Sequence, residues 1–143
     1  MVMSFKYKSI KRPDGDIVKT PSIPIILTGR SNVKIEFMAL IDSGADLSVI
    51  PEDIADLLNI DMDGKKDKSK GIGGEVEVIN SKINVKIKKG HEDYSLNVPV
   101  QVILGDNKIP VILGREVFFD EFSITFDQIN DRILLKKINK ASY

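Results

Sequence analysis

Three short stretches of this chain bring together residue types able to do chemistry. Asp42-Ser43-Gly44-Ala45-Asp46 follows the apolar run Met38-Ala39-Leu40-Ile41. Gly71-Ile72-Gly73-Gly74 forms a glycine-rich tip, and Ile112-Leu113-Gly114-Arg115 stands well downstream. Breaking an amide bond without a metal or a nucleophilic side chain needs an activated water and a proton donor for the leaving amine. Two carboxylates a few ångströms apart supply both. Like charges so close do not both ionise readily, so such a pair keeps one shared proton over a wide pH range. Asp-Ser-Gly occurs once in the 143 residues. A two-aspartate mechanism therefore needs a second copy of the chain. An in-chain alternative pairs Asp42 with Asp46 around the glycine turn, with a divalent metal between them, although no further cluster of oxygen ligands accompanies them.

Each stretch also has an ordinary structural reading. Asp-Ser-Gly alone fits a turn after a buried strand, the glycine tip fits a plain hairpin, and Arg115 fits a surface arginine opening a helix. Phe118, Phe119 and Phe122 suit core packing better than a pocket. What favours chemistry is company and order: apolar residues before Asp42, Ala45-Asp46 after it, and Ile-Leu-Gly-Arg later. On these motifs the chain resembles the retropepsin-like, or retroviral-type, aspartic protease family over about residues 22 to 126.

The resemblance implies a closed β-barrel of the acid protease type, one lobe per chain, working as a homodimer on peptide or unfolded protein. It implies that Asp42 of each protomer forms the catalytic pair. Ser43 would bond across the dimer axis, and Gly44 would leave space and an amide beside the carboxylate. Ala45, Asp46 and Leu47 would meet substrate, Asp46 also pairing with Arg115. Gly71, Ile72, Gly73 and Gly74 would form the tip of a flap over it. Ile112, Leu113, Gly114 and Arg115 would support the catalytic loop from behind. No cofactor and no metal are implied. A catalytically silent dimerisation or peptide-binding domain of the same fold is the alternative. Three features depart from the family pattern: Lys70 where viral members tend to have glycine, an N-terminal extension over 1–21, and a C-terminal hairpin near 122–138. Viral members interleave their chain ends in the dimer, so these extensions bear on how two copies would meet.

Composition narrows the field. Twenty-one basic side chains balance 21 acidic ones, giving no general attraction to nucleic acid or anionic membrane. The absence of cysteine excludes disulfides, thiolate metal sites and a cysteine nucleophile. The one histidine, His91, lies in a Lys-Lys-Gly-His-Glu-Asp stretch that reads as an exposed turn. Charges near the N-terminus replace the apolar core of a signal peptide, and no apolar run approaches the roughly 20 residues of a membrane helix. A cytoplasmic protein of one domain over 1–143 is expected.

The elements that must position these residues are mostly strands. Ser4–Lys11 alternates loosely before a turn at Pro13-Asp14-Gly15-Asp16, and Ile23–Thr28 is a strand whose Pro24 suggests an edge. Val33–Ile41 alternates and then becomes apolar on both faces where it delivers Asp42. Leu47–Ile50 continues as a strand, and Pro51 opens a helix to about Asn59 with Ile54, Leu57 and Leu58 on its apolar face. Residues 61–70 read as a solvated connection. Apolar positions switch parity between Val76/Val78 and Ile83/Val85/Ile87, which predicts a bulge or bend near Ile79-Asn80, or two strands separated there. Leu96–Val102 and Ile109–Leu113 follow as strands. A short helix within 114–121 precedes a hairpin from Phe122 to Ile138. The expected architecture is mainly β with one or two short helices.

Overall fold

The computed structural model describes residues 1–71, 74–105 and 108–139. Its strands, in chain order, are β1 (Val2–Lys6), β2 (Lys8–Lys11), β3 (Ile17–Thr20), β4 (Ser22–Thr28), β5 (Lys34–Ile41) and β6 (Ser48–Pro51). They continue with β7 (Lys66–Gly71), β8 (Gly74–Lys89), β9 (Glu92–Ile103), β10 (Val111–Leu113), β11 (Phe122–Asp127) and β12 (Arg132–Lys137). Two short helices, α1 (Glu52–Leu57) and α2 (Phe118–Glu121), and a 3-10 turn over Arg30–Asn32 complete the elements described. The chain is mainly β, and among the described residues no helix is long and apolar enough to cross a membrane.

The main sheet runs β4-β5-β10-β6-β9-β8-β7, and β4 also pairs with β8 through Ile26–Thr28. The pairings thus return on themselves in a ring of six strands, with β7 hung outside on β8. Ile23, Ile25 and Leu27 of β4, Ala39 and Ile41 of β5, and Val98, Val100 and Val102 of β9 point into the ring and are buried. Pro24 lies in the part of β4 that has β5 on one side and no strand pairing on the other, which is where a residue without an N–H does no harm. In β5 burial rises along the strand, from exposed Lys34 to buried Ala39 and Ile41. The sheet therefore grips β5 most firmly where it ends at Asp42.

Strand β8 shows why parity changed. Val78 and Ile79 are both buried, and the outer half beyond them pairs with β7, whereas the inner half pairs with β9. The β8–β9 register is unbroken from Val78 to Lys89, so the switch comes from a change of neighbours and not from a bulge or a break between two strands. Residues 66–70, expected as a solvated connection, form strand β7. Its Lys, Asp and Ser side chains are largely solvent-facing, so backbone pairing to β8 alone makes the strand. In α1 the buried residues are Ala55 and the following Leu58, while Leu57 is 58% exposed. Pro51 is the cap of α1 and not its first residue.

A second sheet, β1-β12-β11, joins the two ends of the chain, with Phe5 opposite Ile133. Met3, Phe5, Ile133 and Leu135 are buried in it. Phe122 connects this sheet to the main core, stacking edge-on against Tyr94 at 5.4 Å and tilted on Phe118 at 5.5 Å. β2 and β3 form a separate exposed hairpin.

Candidate active site

Strand β5 ends at Ile41, and Asp42 begins a tight loop that runs to Leu47. The Asp42 amide donates to the Leu113 carbonyl at 3.0 Å, continuing the parallel β5–β10 pairing by one bond. The Ala45 amide closes the turn on the Asp42 carbonyl at 3.3 Å. The Asp42 side chain is half-buried, and its Oδ1 accepts the Gly44 amide at 2.8 Å. A carboxylate oxygen is thereby fixed by backbone, while Ser43 and Gly44 are exposed beside it.

The segment 113–116 holds this loop from behind. Gly114 donates its amide to the buried Ser48 Oγ at 3.1 Å, Arg115 to the Ala45 carbonyl at 2.8 Å, and Glu116 to the Asp46 carbonyl at 2.9 Å. Gly114 has to be glycine here. A Cβ on it would stand 2.5 Å from the Leu47 carbonyl oxygen and 2.8 Å from that of Ala45. The Arg115 guanidinium then reaches round the loop, donating Nη1 to the Ser43 carbonyl at 2.9 Å and Nη2 to Asp46 Oδ1. The fork shape of guanidinium suits such a double contact. Ile112 pairs with Leu40 on one side and Val49 on the other, so β10 is wedged between the strands before and after the loop.

Just past Arg115, Val117 has φ 69° and ψ −55°, and the Phe118 amide bonds the Glu116 carbonyl at 2.9 Å. These are the marks of a strained γ-turn at a β-branched residue. It turns the chain sharply from the loop support into α2, whose Phe118 is fully buried.

A groove of about 330 Å³ opens beside the loop. Ala45, Asp46 and Leu47 line one wall together with Val49, and Ser69 and Lys70 of β7 line the other with Gln101 of β9. Gly71 pairs with Gly74 at the turn end of the β7–β8 hairpin. Gly74 has φ 107°, a conformation glycine alone adopts readily. Ile72 and Gly73 lie outside the described residues. A larger cleft of about 430 Å³ lies between Asp61, Gly64 and Lys82, but it holds no residue of the three motifs. Chemistry, and not size, therefore singles out the groove at Asp46.

Sequence reasoning missed Val49, Ser69, Lys70 and Gln101 as groove residues. They come from three strands, and only the order β7-β8-β9-β6 brings them together. Among the described residues no three His, Cys, Asp or Glu side chains converge as metal ligands. Asp46 has its carboxylate engaged by Arg115, which competes with the cation an Asp42–Asp46 metal site would require.

The sequence profile of the aspartyl protease family matches residues 27–117, and the chain belongs to that family, in its retropepsin-like group. The EIAV protease complexed with the inhibitor HBY-793 is 26% identical, with a TM-score of 0.52 over 71% of this chain and 88% of that one. A retropepsin-like aspartic protease from Rickettsia conorii is 22% identical, with a TM-score of 0.59 over 94% of this chain and 91% of that one. The retroviral protease-like domain of Ddi1 from Leishmania major is 16% identical, with a TM-score of 0.49 over 85% and 93%. Among curated proteins none matches the sequence. Family and fold together support a peptidase.

Proposed function

We propose that this protein is an aspartic endopeptidase in which two copies of Asp42, one from each protomer of a homodimer, activate the attacking water. The observation that carries the reading is the state of the Asp42 loop. Its carboxylate is pinned by the Gly44 amide at the edge of the surface, and the other acid of the loop, Asp46, is engaged by Arg115. One Asp42 oxygen is thus positioned, and the partner carboxylate is left for a second copy to supply. On this reading the ring of strands is one closed-barrel lobe.

The two carboxylates would share one proton. The ionised copy takes a proton from water as its oxygen attacks the scissile carbonyl, and the protonated copy donates to the carbonyl oxygen. The tetrahedral intermediate then collapses: the carboxyl that took the water's proton gives it to the leaving amine, and a hydroxyl of the intermediate returns its proton to the other carboxylate, so the pair is again singly protonated. Ser43, exposed in the loop, would bond to the partner loop. Asp46 and the β7–β8 hairpin border the groove in which an extended peptide would lie as an added strand.

The test is turnover of an unfolded protein by wild type and Asp42→Asn between acidic and neutral pH, with and without a chelator. Loss in the variant, indifference to chelator and specific activity that rises with protein concentration are expected. No turnover from a well-folded dimer would replace this reading with a silent peptide-binding domain.

A further inference from the structure

We infer that Lys70 makes the groove beside Asp46 selective for a substrate side chain that ends in a carboxylate, glutamate before all others. The inference rests on the peptide-binding part of the reading above and adds the chemistry of one subsite. The groove has a mixed lining, in which Leu47 and Val49, both half-buried, supply apolar surface and Ser69 and Gln101 uncharged polar groups. Among the described residues that line it, two carry charge, Asp46 and Lys70. Asp46 is matched by Arg115, so its charge is offset locally.

Lys70 is not matched in the same way. Its Nζ lies 3.7 Å from Glu75, which also faces Lys68 at 3.9 Å, so one carboxylate is shared by two ammonium groups. All three side chains are well exposed and the distances are long, which makes these pairs weak. A surplus positive charge therefore lines a groove that also offers the apolar side chains of Leu47 and Val49. A glutamate fits both parts: its methylenes cover Leu47 and Val49, and its carboxylate meets Lys70. A lysine in the same place would face like charge, and a leucine would satisfy only Leu47 and Val49.

Binding separates this inference from the peptidase reading. Peptides with a reduced, uncleavable bond and Glu, Gln, Leu or Lys scanned through each position are titrated against wild type, Lys70→Met and Lys70→Glu at low salt. At one position wild type should bind the Glu peptide about fivefold more tightly than the Lys peptide. Lys70→Met should level the two, Lys70→Glu should invert the order, and the Leu peptide should change little throughout. Raising salt should compress the wild-type ratio. Discrimination of this kind without turnover would sink the peptidase reading and keep the subsite. Equal affinity of wild type for Glu and Lys peptides at every position, or no peptide binding at all, would overturn the subsite even if cleavage is measured.

Discussion

Replacing Gly114 by alanine should damage both stability and chemistry, and the structure says by how much. The new Cβ would meet the Leu47 carbonyl oxygen at 2.5 Å, its carbon at 2.6 Å and the Ala45 oxygen at 2.8 Å. All three are backbone atoms, so no side chain can swing aside. Ordinary contact begins near 3.4 Å, which requires the 113–116 segment and the loop to separate by about 0.9 Å. The bonds from Gly114 to Ser48, Arg115 to Ala45 and Glu116 to Asp46 all cross that gap. Weakening three such bonds, each with a net value of about 0.5–1.5 kcal/mol, gives a loss of about 2–4 kcal/mol. A misplacement near 1 Å at the reacting carboxylate should lower turnover per folded molecule about 100-fold. Gly29→Ala is the control. Its Cβ would strike the Leu58 oxygen at 1.7 Å, but at the end of β4 remote from the strand pairing that leads to Asp42. Urea unfolding and turnover, measured on both variants, decide the matter. Both should be less stable, and only Gly114→Ala should also lose activity per folded molecule. Wild-type stability and turnover in Gly114→Ala would refute the close approach, and an equal activity loss in Gly29→Ala would refute its link to the site.

Arg115→Lys should lose on the order of tenfold in turnover, because an ammonium does not hold Ser43 and Asp46 together as a fork does. Its urea midpoint should move little, the pair being half exposed or more, within about 1 kcal/mol. Deleting residues 1–7 should abolish the cooperative unfolding transition seen by calorimetry. Met3 and Phe5 alone contribute burial of about 3–6 kcal/mol, a large share of the ~5–15 kcal/mol that holds a typical domain. Tyr7 has its hydroxyl pKa raised, first by burial and then by the Asp127 and Asp131 carboxylates. The unfolded chain thus releases that proton first, so the stability is intact below about pH 10 and falls as pH rises beyond it. Between about pH 9 and about pH 11, Tyr7→Phe should show a smaller drop in Tm than wild type.

How much of this was legible depended on whether a residue's role is local. Strand β5 announced itself because alternation from Val33 to Ile41 is a local pattern, and its rise in burial toward Asp42 follows from Met38 and Leu40 joining the second face. The parity shift in β8 was visible too, although its cause was a change of neighbours that no single strand records. Strand β7 stayed hidden because Lys66-Asp67-Lys68-Ser69-Lys70 has no apolar face; only Glu75–Ile79 across the hairpin makes it a strand. The same holds for β1. Nothing in Val2–Lys6 states that its partner is Arg132–Lys136 at the other end of the chain. In the site, the glycine and acid motifs were readable as spacing, whereas Val49, Ser69, Lys70 and Gln101 depend on strand order. Leu57 misled because a helix of six residues is too short for its apolar face to be fixed by period alone.

The tie from Arg115 and Gly114 to the loop has a consequence for the protein's birth on the ribosome. Asp42 is translated well before Gly114, Arg115 and Glu116, whose amides and guanidinium hold its loop from behind. A nascent chain stalled before residue 113 would hold the acid only by the loop's own bonds to Gly44 and Ala45, so its full geometry waits for the 113–116 segment to emerge.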